Sequence, residues 1–159
     1  MKNKRIIDNV WQILLAVLII VADRATKHWI MAGCSVGERF GGIPFVADFV
    51  YVKNTGAAFS VLSDNTVLLS VISVVFLIAL VIYKIVKKPE GFLHNLALVL
   101  FFSGALGNAV DRIAYKFVVD FIDIKWFDFP VFNIADIAIV LGAVSAILFV
   151  LFFDKSEEK

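Results

Sequence analysis

The sequence predicts an all-α polytopic membrane protein, in which four transmembrane helices carry a small extracytoplasmic β-rich region and an interfacial loop. Of the 159 residues, 61% are hydrophobic, and the mean hydropathy of +0.92 is far above that of an ordinary soluble domain. The apolar residues fall into four segments. Each approaches the roughly 20 residues that cross a hydrocarbon core about 30 Å thick. At this length, we expect residues 1–159 to form a single domain.

The four predicted spans differ in how strictly apolar they are. Residues 66–83 form the cleanest span, since these eighteen residues contain no charge. The third and fourth spans are predicted at residues 92–110 and 131–153. The first, residues 10–29, is apolar as far as Ala22 and then becomes polar, with Asp23, Arg24, Lys27 and His28.

Basic residues in the connecting segments predict the orientation in the membrane. With the N-terminus inside, eight Lys and Arg residues lie on the cytoplasmic side and five on the outer side. Positive residues next to the spans favour the cytoplasmic side. We therefore expect both termini in the cytoplasm.

The two outer segments have a different character from the inner one. Residues 34–65 contain glycines and are rich in β-branched and aromatic residues, as in FVADFVYV. Residues 112–130 alternate aromatic and acidic residues, as in FVVDFIDIKWFDF. Such patterns predict short strands or interfacial segments, whereas residues 84–91 form a short basic turn. The chemistry is therefore expected near the extracytoplasmic face.

Several kinds of chemistry find little support. The single Cys34 excludes an intramolecular disulfide, and the charges before it argue against lipidation of this cysteine after a signal peptide. His28 and His94 are expected on opposite sides of the membrane, which argues against a zinc site. No nucleophilic-serine or phosphate-binding motif occurs. The net charge of +1 gives no support for nucleic-acid binding. We expect no metal and no other cofactor.

Aspartates inside or beside the apolar spans are the most informative feature. An ionised side chain in hydrocarbon costs at least about 2.5–3.5 kcal/mol on insertion scales, so such residues usually mark a site or a pathway. Asp136 lies within the fourth span, Asp111 ends the third, and Asp120 follows nine residues after Asp111. The alternative for any one of them is a structural ion pair between helices. Asp23 and Lys27, an i,i+4 pair in the favourable order, fit that alternative best.

Helical spacing places several polar residues on shared faces. Asn108 shares a face with Asp111 and Arg112, and Asn133 shares one with Asp136. The third span also has a stripe of small residues that would let a neighbouring helix approach closely. These are Ser103, Gly104 and Gly107.

Two carboxylates brought close together can share one proton, because like charges in a poorly hydrated site resist double ionisation. The ionised member can then activate a water while the protonated one polarises a carbonyl. Periodicity does not show which acids meet, since a loop separates Asp120 from Asp136. The residues alone allow a hydrolase with an outward-facing acidic site or an ion-coupled transporter.

Five short motifs occur in order along the chain. They are Asp23-x-x-Thr26-Lys27, Val52-Lys53-Asn54-Thr55-Gly56-Ala57-Ala58-Phe59-Ser60, Gly107-Asn108-x-x-Asp111-Arg112, Val118-Val119-Asp120-Phe121-Ile122 and Phe132-Asn133-x-Ala135-Asp136. Together they resemble the signature blocks of the lipoprotein signal peptidase (signal peptidase II) family, and the resemblance covers nearly the whole chain. One block alone is weakly specific, whereas five in the family's order are highly specific. Arg24 departs from the pattern, since the family usually has glutamine there.

The resemblance implies an aspartic endopeptidase of the bacterial cytoplasmic (inner) membrane. Such an enzyme removes the signal peptide from diacylglyceryl-modified prolipoproteins by cleaving before the lipidated cysteine. The resemblance makes Asp120 and Asp136 the catalytic dyad. It assigns substrate binding to Asn54, Gly56, Asn108, Arg112 and Asn133. It assigns structural support to Asp23, Lys27 and Asp111, with Asp111 orienting Arg112.

The expected partners follow from the same resemblance. Lipid-modified prolipoprotein and membrane lipid would enter sideways from the bilayer, and the outer strands of residues 36–60 would cradle the lipidated end. We expect a monomer with no nucleic-acid partner. Two alternatives remain: a small proton-coupled membrane transporter or channel subunit, which the lack of an internal repeat weakens, and a non-catalytic assembly factor.

Overall fold

A computed structural model describes residues 2–56 and 65–153, with side chains from residue 10 onward. Four helices are present in these ranges: α1 (Lys2–Gly33), α2 (Thr66–Lys87), α3 (Phe92–Tyr115) and α4 (Ile134–Phe153). Three strands, β1 (Arg39–Ile43), β2 (Ala47–Asn54) and β3 (Val118–Ile124), form one antiparallel sheet in the order β1-β2-β3. The strand-like patterns predicted in both outer segments are thereby confirmed. The Ala57–Ser60 part of the second motif lies outside the described residues.

Three of the four predicted spans are confirmed as helices of sufficient length and apolarity. In the described part of the chain, α2, α3 and α4 meet that criterion. Every eighteen-residue stretch of α1 whose side chains are described contains Asp23, Arg24 and Lys27, so α1 does not. Its role as a fourth span stays a prediction.

The helix α3 forms the centre of the helical layer and packs against α1, α2 and α4. More than half of its most apolar stretch is buried, whereas only 6% of the corresponding stretch of α2 is. An exposed helix as apolar as α2 is unfavourable in water and suited to lipid. Small residues let α4 approach α3, as predicted: a Cβ on Gly104 would lie 2.7 Å from Ile139 Cγ1, and one on Gly107 would lie 3.0 Å from Ala135 Cβ.

The end of α3 turns the chain into the sheet. This helix runs five residues beyond the predicted span, so Asp111 and Arg112 are helical. Lys116 then adopts a left-handed conformation (φ 67°), and its N–H donates to the Arg112 carbonyl. A left-handed residue is a common way to stop a helix and redirect the chain. The strand β3 therefore starts directly beside the last turn of α3.

A backbone bridge brings the start of α4 back onto β3. The N–H groups of Phe121 and Ile122 donate to the Phe132 carbonyl at 2.9 and 2.8 Å, and the Phe132 N–H donates to the Ile122 carbonyl at 3.1 Å. The long connection after β3 therefore returns to the strand it left. Residue 133, which precedes α4, is held next to Asp120 as a result.

We expect Gly104→Ala to destabilise the folded protein, because the added methyl would push α4 away from α3. Overpacking of this kind typically costs about 1–3 kcal/mol. The measurement is loss of folded protein on heating in detergent. Gly33→Ala is the control, since a Cβ there meets nothing within 4 Å. Equal melting of the two variants would contradict the close packing of α3 on α4.

Candidate active site

The first carboxylate of the site, Asp120, comes from the middle of β3. Its side chain is 2% exposed, and each oxygen accepts a hydrogen bond from an asparagine amide. Asn54 Nδ2 donates to Oδ2 at 2.8 Å, and Asn133 Nδ2 donates to Oδ1 at 2.6 Å. Asn54 ends β2, and Val52 of that strand pairs with Asp120 in the sheet register. The sheet therefore positions Asp120 and one of its two donors together.

The second carboxylate, Asp136, lies in the first turn of α4, where the N-terminal end of a helix favours negative charge. The Asn133 N–H donates to Asp136 Oδ2 at 3.1 Å, and the Asp136 N–H donates to Asn133 Oδ1 at 3.0 Å. This reciprocal arrangement is a capping box, with asparagine at the cap position and aspartate three residues later. Asn108 Nδ2 of α3 donates to the other oxygen, Oδ1, at 2.7 Å.

Asn133 connects the two carboxylates. It is fully buried, donates its side-chain amide to Asp120, and caps the helix that carries Asp136. The same amide also lies 3.1 Å from Asn108 Oδ1 and 3.3 Å from the Val119 carbonyl. Asp120 and Asp136 are thereby brought to one site, although they are sixteen positions apart in the sequence.

The environment of Asp120 favours its protonated form. Burial raises the pKa of Asp120, and the charge of Asp136 raises it further, to about 7. The hydrogen bonds from Asn54 and Asn133 and the charge of Lys27 oppose this shift but do not cancel it. Near neutral pH, Asp120 therefore exists in both protonation states.

A cluster of four charges, three of them fully buried and one partly exposed, lies next to the carboxylates. Asp23, Arg24 and Lys27 come from α1, and Asp111 comes from α3. Lys27 Nζ lies 3.1 Å from Asp23 Oδ2 and 2.8 Å from Asp111 Oδ2, while Arg24 Nη2 lies 3.0 Å from Asp23 Oδ2 and 2.6 Å from Asp111 Oδ1. The two acids and two bases balance, so the cluster has no formal net charge.

The charged cluster also contacts the backbone around the site. Asp23 Oδ1 accepts the Ala135 N–H at 3.1 Å, in the first turn of α4. Asp111 Oδ2 accepts the Val119 N–H at 3.3 Å, next to Asp120. The expected i,i+4 pair of Asp23 and Lys27 is present. Asp111 contacts Arg24 and Lys27, and the expectation that it orients Arg112 stays a prediction.

Arg112 points toward the loop that follows β2. Its Nη2 donates to the Gly56 carbonyl at 3.1 Å, and the Gly56 N–H donates to Asn54 Oδ1 at 2.9 Å. Its Nε is buried without a hydrogen-bond partner among the described residues. Arg112, Gly56 and Asn54 therefore form a polar edge beside Asp120, with an unused donor.

Sequence reasoning did not find the contact between Lys27 and the site. Lys27 Nζ donates to Asn108 Oδ1 at 3.0 Å. The i,i+4 relation with Asp23 predicted only a local ion pair, because helical spacing identifies neighbours on the same helix and not the helix packed opposite. A buried lysine with several acceptors is visible only after α1 and α3 are packed together.

Comparison with known proteins identifies the family. A family model described as signal peptidase (SPase) II matches residues 15–152. The chain belongs to the signal peptidase II family. The lipoprotein signal peptidase of Clostridium tetani is 37% identical over 151 residues, which cover 93% of this chain and 97% of that protein. The Staphylococcus aureus (strain JH9) protein of the same name is 38% identical over 149 residues, covering 92% of this chain and 91% of its own.

A solved structure of a bacterial membrane enzyme agrees in fold. Its TM-score to this chain is 0.84 at 36% identity, with 93% of each chain covered. Membership of the signal peptidase II family decides between the two classes that the residues alone left open. The chain is a peptidase rather than a transporter or an assembly factor.

We expect Asp111→Ala to lower the free energy of unfolding strongly, because Arg24 and Lys27 would lose a buried partner. Breaking a buried ion pair on one side typically costs about 3–5 kcal/mol. Asp123→Ala is the matched control: Asp123 Oδ2 pairs with Arg39 at 3.0 Å, but both side chains are partly exposed, and such surface pairs are worth about 0–1 kcal/mol. Thermal unfolding in detergent compares the two. Similar losses would show that the cluster contributes no more than a surface pair.

Proposed function

We propose that this protein removes the signal peptide from lipid-modified prolipoproteins as an aspartic endopeptidase, with Asp120 and Asp136 as its catalytic dyad. The supporting observation is the meeting of these two carboxylates at Asn133, one from β3 and one from α4. Family membership supports the reaction, since the similar proteins are named lipoprotein signal peptidases.

The dyad needs neither a metal nor a covalent intermediate. The ionised carboxylate takes a proton from a water molecule while that water attacks the scissile carbonyl carbon, and the protonated carboxyl donates a hydrogen bond to the carbonyl oxygen. When the tetrahedral intermediate collapses, the C–N bond breaks and the leaving amine receives a proton from the dyad. The dyad ends with one proton, as it began.

The surrounding polar residues fall into two roles under this proposal. Asn54, Gly56 and Arg112 form the edge beside Asp120, so they bind the substrate. Asn108 and Asn133 already donate their amides to the two aspartates, so they position the dyad next to the bound substrate. On this assignment, Arg112→Ala raises KM more than it lowers kcat; the reverse would argue against it.

We further propose that α1 is a fourth span of a single, monomeric membrane domain, with both termini cytoplasmic and the dyad near the extracytoplasmic face. The charges that interrupt α1 support this, because Asp23 and Lys27 are fully buried and paired toward α3. Paired charges that face the interior of a bundle are tolerated in a membrane.

Cysteine labelling of intact cells tests this topology. In a Cys34→Ser background, we expect an impermeant maleimide to label Glu38→Cys and to miss Glu90→Cys; both positions are exposed. An N-terminal tag should be inaccessible from outside. Labelling of residue 90 alone would show the orientation to be inverted. External access to both the N-terminal tag and residue 38 would remove α1 as a span.

We expect Asp120→Asn and Asp136→Asn each to abolish cleavage of a diacylglyceryl-modified prolipoprotein while the protein still folds. Asparagine keeps the size of the side chain but cannot accept or donate the catalytic proton. Asp123→Asn on the same strand is the control and should cleave normally, because its carboxylate contacts Arg39 instead of the site. Near-normal turnover by either dyad variant would refute the proposed mechanism.

The pKa of Asp120, raised to about 7, predicts the alkaline limb of the pH profile. Activity needs one proton on the dyad, so kcat/KM should fall as the pH rises above about 7. Asn54 donates to Asp120 and stabilises its ionised form. Asn54→Ala should therefore raise the pKa of Asp120 further and move this limb to higher pH. A limb that stays in place, or moves to lower pH, would contradict the role given to Asp120.

A further inference from the structure

The ammonium group of Lys27 lies within 3.1 Å of three oxygen atoms. Two are carboxylate oxygens, on Asp23 and Asp111. The third is the neutral oxygen Asn108 Oδ1, at 3.0 Å. Lys27 is 0% exposed, so water does not compete for these bonds. Its contact with Asn108 connects the charged cluster to the dyad.

The orientations of the Asn108 and Asn133 side-chain amides are fixed by two hydrogen-bond donors, the Lys27 ammonium and the Asp136 backbone N–H. A lysine ammonium has no acceptor, so the Asn108 atom facing Lys27 is its oxygen, and its Nδ2 faces Asp136 at 2.7 Å. The Asp136 backbone N–H likewise requires the oxygen of Asn133, so Asn133 Nδ2 faces Asp120. Asn108 Oδ1 also accepts from Asn133 Nδ2, which makes the two orientations consistent. Reversing the Asn108 amide would place its N–H₂ against Lys27 and its oxygen against a carboxylate.

Charged groups from three other elements surround Asp136. Asp120 lies on β3, and Arg112 and Asp111 lie on α3. Lys27 and Asp23 come from α1, where Arg24 also pairs with Asp23 and Asp111. Arg24 and Lys27 therefore neutralise the same two acids. Among the contacts to Asn108 in the described structure, only that of Lys27 comes from this cluster.

We propose that Lys27 is a positioning residue for the reaction: it holds the Asn108 amide so that its N–H donates to an ionised Asp136, which makes Asp136 the base of the dyad and leaves the shared proton on Asp120. This inference rests on the proposed function. The burial of Asp120 and its preference for the protonated form agree with the assignment. Lys27 acts through Asn108 and does not contact the substrate.

The experiment compares two variants that each remove one positive charge from the cluster. Lys27→Met also removes the donor to Asn108, whereas Arg24→Gln leaves that donor in place. The pH dependence of kcat/KM is measured on a diacylglyceryl-modified fluorogenic lipopeptide in detergent. Without the Lys27 ammonium, the Asn108 amide is no longer held as a donor to the dyad, so the dyad ionises less readily. The acidic limb of Lys27→Met should therefore move to higher pH by about one unit or more. Its kcat should be lowered and its KM little changed. The acidic limb of Arg24→Gln should stay within a few tenths of a unit of the unmodified chain.

Asn108→Ala covers the case in which Lys27→Met does not fold, because it removes the bridging amide and keeps all four charges. It should give the same shift of the acidic limb with KM unchanged. The inference is overturned if the acidic limb does not move in Asn108→Ala. It is also overturned if Arg24→Gln and Lys27→Met shift this limb equally, because an equal shift would result from the loss of one positive charge and not from the loss of the donor to Asn108. Failure of the proposed function is distinct: Asp120→Asn or Asp136→Asn would then cleave normally.

Discussion

Burial of charge is the constraint on which the rest of this structure depends. A carboxylate removed from water is unfavourable unless hydrogen bonds or opposite charges replace its hydration. Asp120 and Asp136 receive amide donors, and Asp23 and Asp111 receive cations. The structure therefore separates the proposed catalytic carboxylates, which have amide partners, from the ion-paired carboxylates, which have cationic ones.

The close approach of α3 and α4 makes this separation possible. Gly104 and Gly107 leave no side chain between the helices, so Ala135 and Asp23 reach the surface of α3. Asp23 can then accept the Ala135 N–H while its other oxygen pairs with Lys27. One carboxylate thus ties α1 to the start of α4, next to the dyad. A wider helix spacing would let water reach the charges and would weaken the field that acts on the dyad.

Arg24 gives this chain a second, partly buried cation at a position where glutamine is usual in the family it resembles. Its guanidinium contacts both acids of the cluster and the Gly107 carbonyl, and its Nε has no hydrogen-bond partner among the described residues. The additional charge neutralises the second acid of the cluster, which Lys27 alone leaves uncompensated. A buried Nε without a hydrogen-bond partner lowers stability, and a glutamine side chain has no such atom.

The sequence by itself determined the apolar helices, the outer strands, the small-residue stripe and the motifs of the signal peptidase II family. These properties depend on residue type and short-range spacing. The shared faces of Asn108 with Asp111 and of Asn133 with Asp136 follow from helical period alone. Only the tertiary structure decided that Phe132 bridges back to Ile122, that Asn133 therefore joins Asp120 to Asp136, and that Lys27 of α1 contacts Asn108 of α3. The reason is physical: periodicity describes one element at a time. The path of a long loop and the faces on which two helices pack depend on which hydrogen bonds satisfy the buried polar groups of the whole fold.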